Sequence, residues 1–188
     1  VAVMVFTINL KKEALRTAIV KMYIGCEITK PYPYHFALLH HNIGQNRVTQ
    51  EKFVEAIENF NVALENKEFA QSMTGLKTTY YLLNVQLRIE TYSHGLSDLE
   101  EQVTTYKLPE FVAKCKVLRG LYLENNLSLV KTGLDMLESN EQYFEYTEMC
   151  DEISQYFESK GDLALSLEYS KLARKMSKNQ TIVGVNQS

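Results

Sequence analysis

The chain has 188 residues, 45% hydrophobic and 23% charged, which is enough apolar content to bury a sizeable core and excludes wholesale disorder. A formal net charge of -3 excludes a global basic field that would draw it to nucleic acid or to an anionic membrane surface. With only 3 prolines and 8 glycines, the sequence favours long helices over a loop-rich β fold.

Residues 1–8 are apolar but too short to cross a membrane, which takes roughly 18–20 residues, and no cleavage site follows them. The first residue is Val, so the chain reads as a fragment of something larger, with 1–9 a stub or the end of a preceding helix. Leu10, Ala14, Leu15, Ala18, Ile19 and Met22 repeat at helical spacing opposite a solvated basic stripe of Lys11, Lys12, Arg16 and Lys21. Pro31-Tyr32-Pro33 then breaks the chain, since proline has no amide donor and disfavours helix just before it.

A helix is expected over 34–47 and a return helix over 50–66, with Ile43-Gly44 and then Phe53, Ala56, Ile57, Phe60, Ala63 and Leu64 on the facing sides. Gly44 and the two alanines are small where the partner helix passes close. Residues 68–92 read as one long helix ended by Ser93-His94-Gly95, and 96–106 as its return. Pro109 opens the next helix in its first turn, through Phe111, Cys115, Leu118 and Tyr122 to residue 123. Another return follows over 127–138. Ser139-x-x-Gln142 has the form of a capping box ahead of the last pair, 144–159 and 163–176, joined by the Lys160-Gly161-Asp162 turn. Beyond Ser177 the period is lost, and 178–188 reads as a disordered tail.

Matching apolar residues stand at the return helices, Phe53, Leu96, Leu127 and Leu163, at a scattered spacing near roughly 34 residues. Residues 40–65 and 150–174 carry the small, aromatic and turn positions of a tetratricopeptide (TPR) unit: Ile153, Ser154, Phe157, Gly161-Asp162, Leu163, Ser166, Leu167, Ser170 and Ala173 in the second. The chain therefore resembles the TPR superfamily. That resemblance implies an all-α domain over 10–177, built of antiparallel helix-turn-helix pairs stacked as a right-handed superhelix.

Catalytic patterns are missing from the sequence. His40 and His41 are adjacent and diverge by about 100° on a helix, and no H-E-x-x-H, C-x-x-C, Walker or G-x-S-x-G motif occurs. The three cysteines, Cys26, Cys115 and Cys150, are odd in number and widely spaced, which reads as free thiols of a reducing, cytoplasmic compartment and not as a disulfide framework. The Asn-x-Ser/Thr triplets at Asn126, Asn179 and Asn186 are then chance matches. Cys150 is followed by Asp151 and Glu152, and acids raise a thiol pKa, so it is no nucleophile. The expectation is a non-enzymatic chain with no cofactor and no metal.

In a TPR array the first helix of each pair lines the concave wall. With Gly44, Leu87, Leu118 and Ser154 equivalent, the wall holds His41 and Gln45, then Tyr81, Asn84, Arg88 and Tyr92, then Lys116, Arg119 and Tyr122, and last Gln155 between Asp151 and Glu158. An Asn amide can donate to and accept from an extended peptide backbone, and Arg or Lys can take a carboxylate. More loosely, degenerate repeats rich in Tyr, Asn, Leu, Lys and Glu resemble the peptide-pheromone receptors of Gram-positive bacteria, of the Rap, NprR, PlcR and PrgX types. That likeness implies an intracellular quorum-sensing regulator that binds a short linear peptide on the concave face. Many of that group carry an N-terminal DNA-binding or three-helix module. This sequence shows neither, so the likeness implies the sensing part alone, with no direct contact to nucleic acid or membrane. The alternative is a structural scaffold or a dimerisation module of a larger helical-repeat protein, with a homodimer as a candidate assembly.

Overall fold

The computed structural model describes residues 30–90 and 94–185 together with Gly25 and Ile28, and side chains as far as Ser177. The stub expected over 1–9, most of the helix expected over 10–28, and Tyr92 lie outside the described residues. The described residues hold helices and no strand, and they fall into two compact units, Val1–Tyr92 and Ser93–Ser188.

The first unit begins with α1 (Pro33–Thr49), which carries Pro33 in its first turn where a missing amide costs nothing. It pairs with α2 (Phe53–Leu64) through Ala37, Ile43 and Gly44 on one side and Ala56, Phe60 and Ala63 on the other, all buried. A Cβ at Gly44 would collide with the Phe60 ring, so the expected close approach is real and has an aromatic cause. The helix expected over 68–92 is in fact two helices, α3 (Lys67–Ala70) and α4 (Met73–Arg88). Asn66 Oδ1 accepts from Phe69 N at 2.8 Å, and Ser72 Oγ accepts from Gly75 N at 3.1 Å. Each side chain satisfies an amide that a continuous helix would bond along its own backbone, which is why short polar residues start helices. The short α3 drives Phe69 into the core beside Ala37 and Ala63.

The second unit comprises α5 (Leu96–Thr105), α6 (Pro109–Leu118), a π-helical turn (Arg119–Leu123), α7 (Leu127–Ser139), α8 (Tyr143–Ser159) and α9 (Leu163–Val185). Its core joins Ala113, Val117 and Leu121 of α6 and its π-turn to Val130, Leu134 and Leu137 of α7. Tyr146, Met149, Ile153 and Phe157 of α8 and Ala173 and Met176 of α9 complete it. At Gly133 a Cβ would stand 2.6 Å from the Ala113 carbonyl, the counterpart here of the Gly44 contact. The backbone carries α9 to Val185, past the loss of apolar period after Ser177, because each residue added to an existing helix gains a bond without a new nucleus.

Among the described residues, four connections share one turn. Glu51, Lys107, Glu141 and Gly161 have φ of 58°, 56°, 58° and 79°. In each case the next amide closes a bond five residues back: Lys52 N to Arg47 O, Leu108 N to Val103 O, Gln142 N to Leu137 O and Asp162 N to Phe157 O, all 2.9 Å. This is the Schellman arrangement, which satisfies carbonyls left over at a helix end. It replaces the capping box expected at Ser139 and Gln142. Ser139 Oγ donates back to Asp135 O at 2.7 Å, and α8 starts without a side-chain cap.

Candidate functional site

In the first unit, the residues expected on the wall come from α1 and α4. His41 is 5% exposed, and its ring lies 6.1–6.3 Å from those of Phe60, Phe69 and Tyr81. Its Nδ1 is 2.8 Å from Thr78 Oγ1, and the Thr78 hydroxyl donates to Thr74 O at 2.7 Å, so the imidazole N–H is the donor of the pair. Burial, helped by the Lys77 charge, lowers the His41 pKa to about 4, leaving a neutral core histidine. The structure thus places His41 in the core and not on an open wall, because Thr78 on α4 supplies its partner.

Gln45, one turn along α1, is half-buried. Tyr81 stacks on Phe60 with centroids 6.2 Å apart, and so covers the α2 core while keeping part of its surface open. Asn84 is buried, its Nδ2 donating to Tyr80 Oη at 3.5 Å. Arg88 closes α4 half-buried, with its guanidinium 4.7 Å above the Phe53 ring, a cation–π contact to the first residue of α2.

In the second unit the positions divide in the same way. Arg119 grips Glu100 on α5 with two guanidinium nitrogens, donates to Ser97 Oγ at 3.1 Å and stands 3.7 Å from Glu124. Its pKa is raised, first by the hydrogen bond to Glu100, and its charge is directed at α5. Tyr122 donates to Glu152 Oε1 at 3.3 Å and meets Tyr156 edge-to-face at 5.1 Å. Lys116 is half-buried, and Gln155 is exposed on α8 between the exposed Asp151 and Glu158. Desolvation raises the Asp151 pKa.

Two polar contacts that periodicity did not single out complete this unit. Lys114, 3% exposed, donates to Glu148 Oε2 at 2.7 Å and lies 5.5 Å above the Phe111 ring. Glu152, 7% exposed, is the acceptor for Tyr122. Lys114 and Phe111 stand one turn apart on α6, and Glu148 and Glu152 one turn apart on α8. The only signal in the sequence is that charges occur at spacings otherwise apolar.

Burial pushes the Cys115 and Cys150 thiols up to about 12, so at neutral pH both are protonated and poor nucleophiles. Among the described residues no group of three His, Cys, Asp or Glu could hold a metal ion, and no helix is long and apolar enough to cross a membrane. The arrangement is suited to polar contact along helix faces.

No family model matches the sequence. The chain is 33% identical over 162 residues to the Type II methyltransferase M.CeqI of Rhodococcus hoagii, covering 84% of this chain and 31% of that protein. It is 27% identical over 158 residues to response regulator aspartate phosphatase I of Bacillus subtilis (strain 168), covering 80% of this chain and 40% of that protein. It thus spans between 31% and 40% of these relatives' length. Among solved structures it is similar to the Rap conjugation gene regulator of plasmid pLS20 in complex with the Phr* peptide. That match has a TM-score of 0.84 and 22% identity, over 92% of this chain and 48% of that one. This chain has the TPR-type helical-repeat fold of the Rap proteins.

Proposed function

We propose that this chain is the peptide-sensing part of an intracellular bacterial regulator, taking a short linear peptide and acting by binding and not by catalysis. The observation that carries this reading is the likeness, over 92% of the chain, to a Rap regulator whose structure holds the Phr* peptide. A second observation supports the absence of catalysis. The same stretch matches relatives named for two unrelated activities, a methyltransferase and a phosphatase, and covers well under half of each. A segment common to such proteins is more simply a binding array than an active site.

In the first unit, Gln45, Tyr81, Asn84 and Arg88 are the proposed peptide contacts, the amides for peptide backbone and the guanidinium for a carboxylate. In the second, Lys116, Tyr122 and Gln155 are the proposed contacts. His41 and Arg119 act behind them, His41 by fixing α4 through Thr78 and Arg119 by holding α5. The test is titration of the purified chain with fluorescent Phr* peptide and with a library of five- to ten-residue peptides, alongside mass spectrometry of the denatured protein for a co-purified peptide. Binding weakened about tenfold, or 1.4 kcal/mol, by Asn84→Ala or Arg88→Ala supports the assignment. Unchanged affinity in both variants rejects these residues, and no peptide in either experiment rejects the function.

A further inference from the structure

The connection from α6 to α7 differs by one residue from the four Schellman turns. Asn125 has the left-handed φ, 47°, and the next amide, Asn126 N, closes on Gly120 O at 2.8 Å, six residues back where the others close five back. The surplus lies in the π-helical turn, where Glu124 N reaches Arg119 O at 3.0 Å. An α-turn would set Arg119 and Tyr122 about 60° apart around the helix axis. The wider turn opens that angle, and the two side chains serve different neighbours. Arg119 holds Glu100 on α5, while Tyr122 donates to Glu152 and meets Tyr156 on α8. Just beyond, Leu123 is 41% exposed and Glu124, Asn125 and Asn126 are exposed, so a residue can pass into the connection without entering the core.

We propose that this π-helical turn is a two-state joint between α5 and α8. In its second, narrow state the helix stays α-helical to its end, Glu124 takes the left-handed φ, Asn125 N closes on Gly120 O, and Asn126 joins the connection. That geometry is built four times among the described residues, twice with a glutamate at the left-handed position, Glu51 and Glu141, both at 58°. Asparagine tolerates left-handed φ better than glutamate, which favours the wide state, and so do the contacts of Tyr122 with α8. The rarity of π geometry in helices marks the opposing preference for the narrow state. Gly120 is the pivot. A Cβ there would stand 2.8 Å from both Asn126 O and Val130 Cγ2, so the backbone lies directly on the start of α7 and supplies the acceptor in either state. Passing to the narrow state turns Tyr122 back toward Arg119 and off Glu152. A group that seats Tyr122 on α8 therefore selects the wide state, and with it the way Arg119 and Tyr122 are divided between α5 and α8. The proposal does not depend on peptide binding.

Fluorine NMR of the full chain labelled with fluorotyrosine tests it, the Tyr122 signal being the one lost in Tyr122→Phe. A glycine frees the left-handed conformation wherever it is placed, so its position decides which state gains. Glu124→Gly eases the narrow state and should raise the share of a second Tyr122 signal roughly fivefold or more. Asn125→Gly eases the wide state and should hold that share at or below the wild-type level. Glu124→Ala removes the same ion pair with Arg119, 3.7 Å in the wild type, without easing a left-handed φ, and should leave the shares unchanged. Both positions are exposed, so circular dichroism should show all three variants folded as the wild type. A Tyr122 signal that Glu124→Gly leaves single and unmoved overturns the proposal. So does an equal change in Glu124→Ala, which would mean loss of the ion pair alone, and so does a rise of the second signal in Asn125→Gly.

Discussion

Where α1 passes α2, the close approach is a glycine against an aromatic ring, Gly44 against Phe60. Where α8 passes α9, the residue at the same distance from the left-handed turn is Ser154, whose hydroxyl donates to Ser166 O at 2.9 Å and lies 3.1 Å from Ser166 Oγ. At these two positions one crossing is fitted by shape and the other by hydrogen bonds. The same contrast extends through the two units. The first buries a neutral histidine among aromatic rings, and the second buries a lysine against a glutamate. The hairpin tolerates either chemistry because its geometry asks only for a small side chain at the crossing and a satisfied helix end.

The contrast can be broken most strongly at Phe60, which is fully buried in the first unit. Phe60→Ala should cost about 3–5 kcal/mol in urea unfolding, and Ser154→Ala, which keeps the volume small, only about 1 kcal/mol. A smaller gap would mean that the glycine-to-ring contact does not organise the first pair.

The buried histidine gives the first unit its own pH dependence. Its pKa falls from 6.5 unfolded to about 4 folded, so the unfolded chain takes up the proton first as pH drops. The associated stability is present above pH 6.5 and is lost progressively down to pH 4, on the order of 3 kcal/mol in all. Unfolding measured at stepwise pH should show this slope in the wild type and a flatter one in His41→Gln.

The buried lysine sharpens the comparison from the other unit. Glu148→Ala leaves Lys114 buried without its acid and should cost about 1–3 kcal/mol, while Lys114→Met should be near neutral or stabilising. Equal losses would mean that the pair is worth more than its desolvation. The smallest effects belong to the turns. Gly161→Ala at φ 79° should cost about 1 kcal/mol, while Glu141→Gly at φ 58° should gain about 0.5 kcal/mol by removing left-handed strain against a loss of chain entropy. Thermal unfolding of the pair checks the opposite signs.

The helices were legible because their apolar period is strong, and Gly44 and Pro109 stood where a sequence argument could give each a physical role. The turns were largely not. Gly161 advertises a left-handed position, but Glu51, Lys107 and Glu141 adopt it on backbone hydrogen bonds that no side chain announces. Ser139 looked like a cap and Ser72 did not, since either hydroxyl can serve the helix before it or the one after it, and tertiary packing decides. At the site, spacing gave the helices that carry polar residues but not their partners. Whether His41 faces Thr78, or Arg119 faces Glu100, depends on which helix packs alongside, and one sequence does not encode that locally.

The π-helical turn at 119–123 bears on how this chain is measured against others. There Glu124 N reaches back five residues to Arg119 O at 3.0 Å, so the end of the helix has taken in one residue beyond the α-helical count. The extra residue is absorbed inside the element and forms no visible loop. A ruler laid along the sequence therefore runs one residue long past this point, while a ruler laid along the helix axes does not. An extra residue held in this way shifts the sequence spacing by one with no loop to mark it, so a repeat can depart from its period in sequence while keeping it in space.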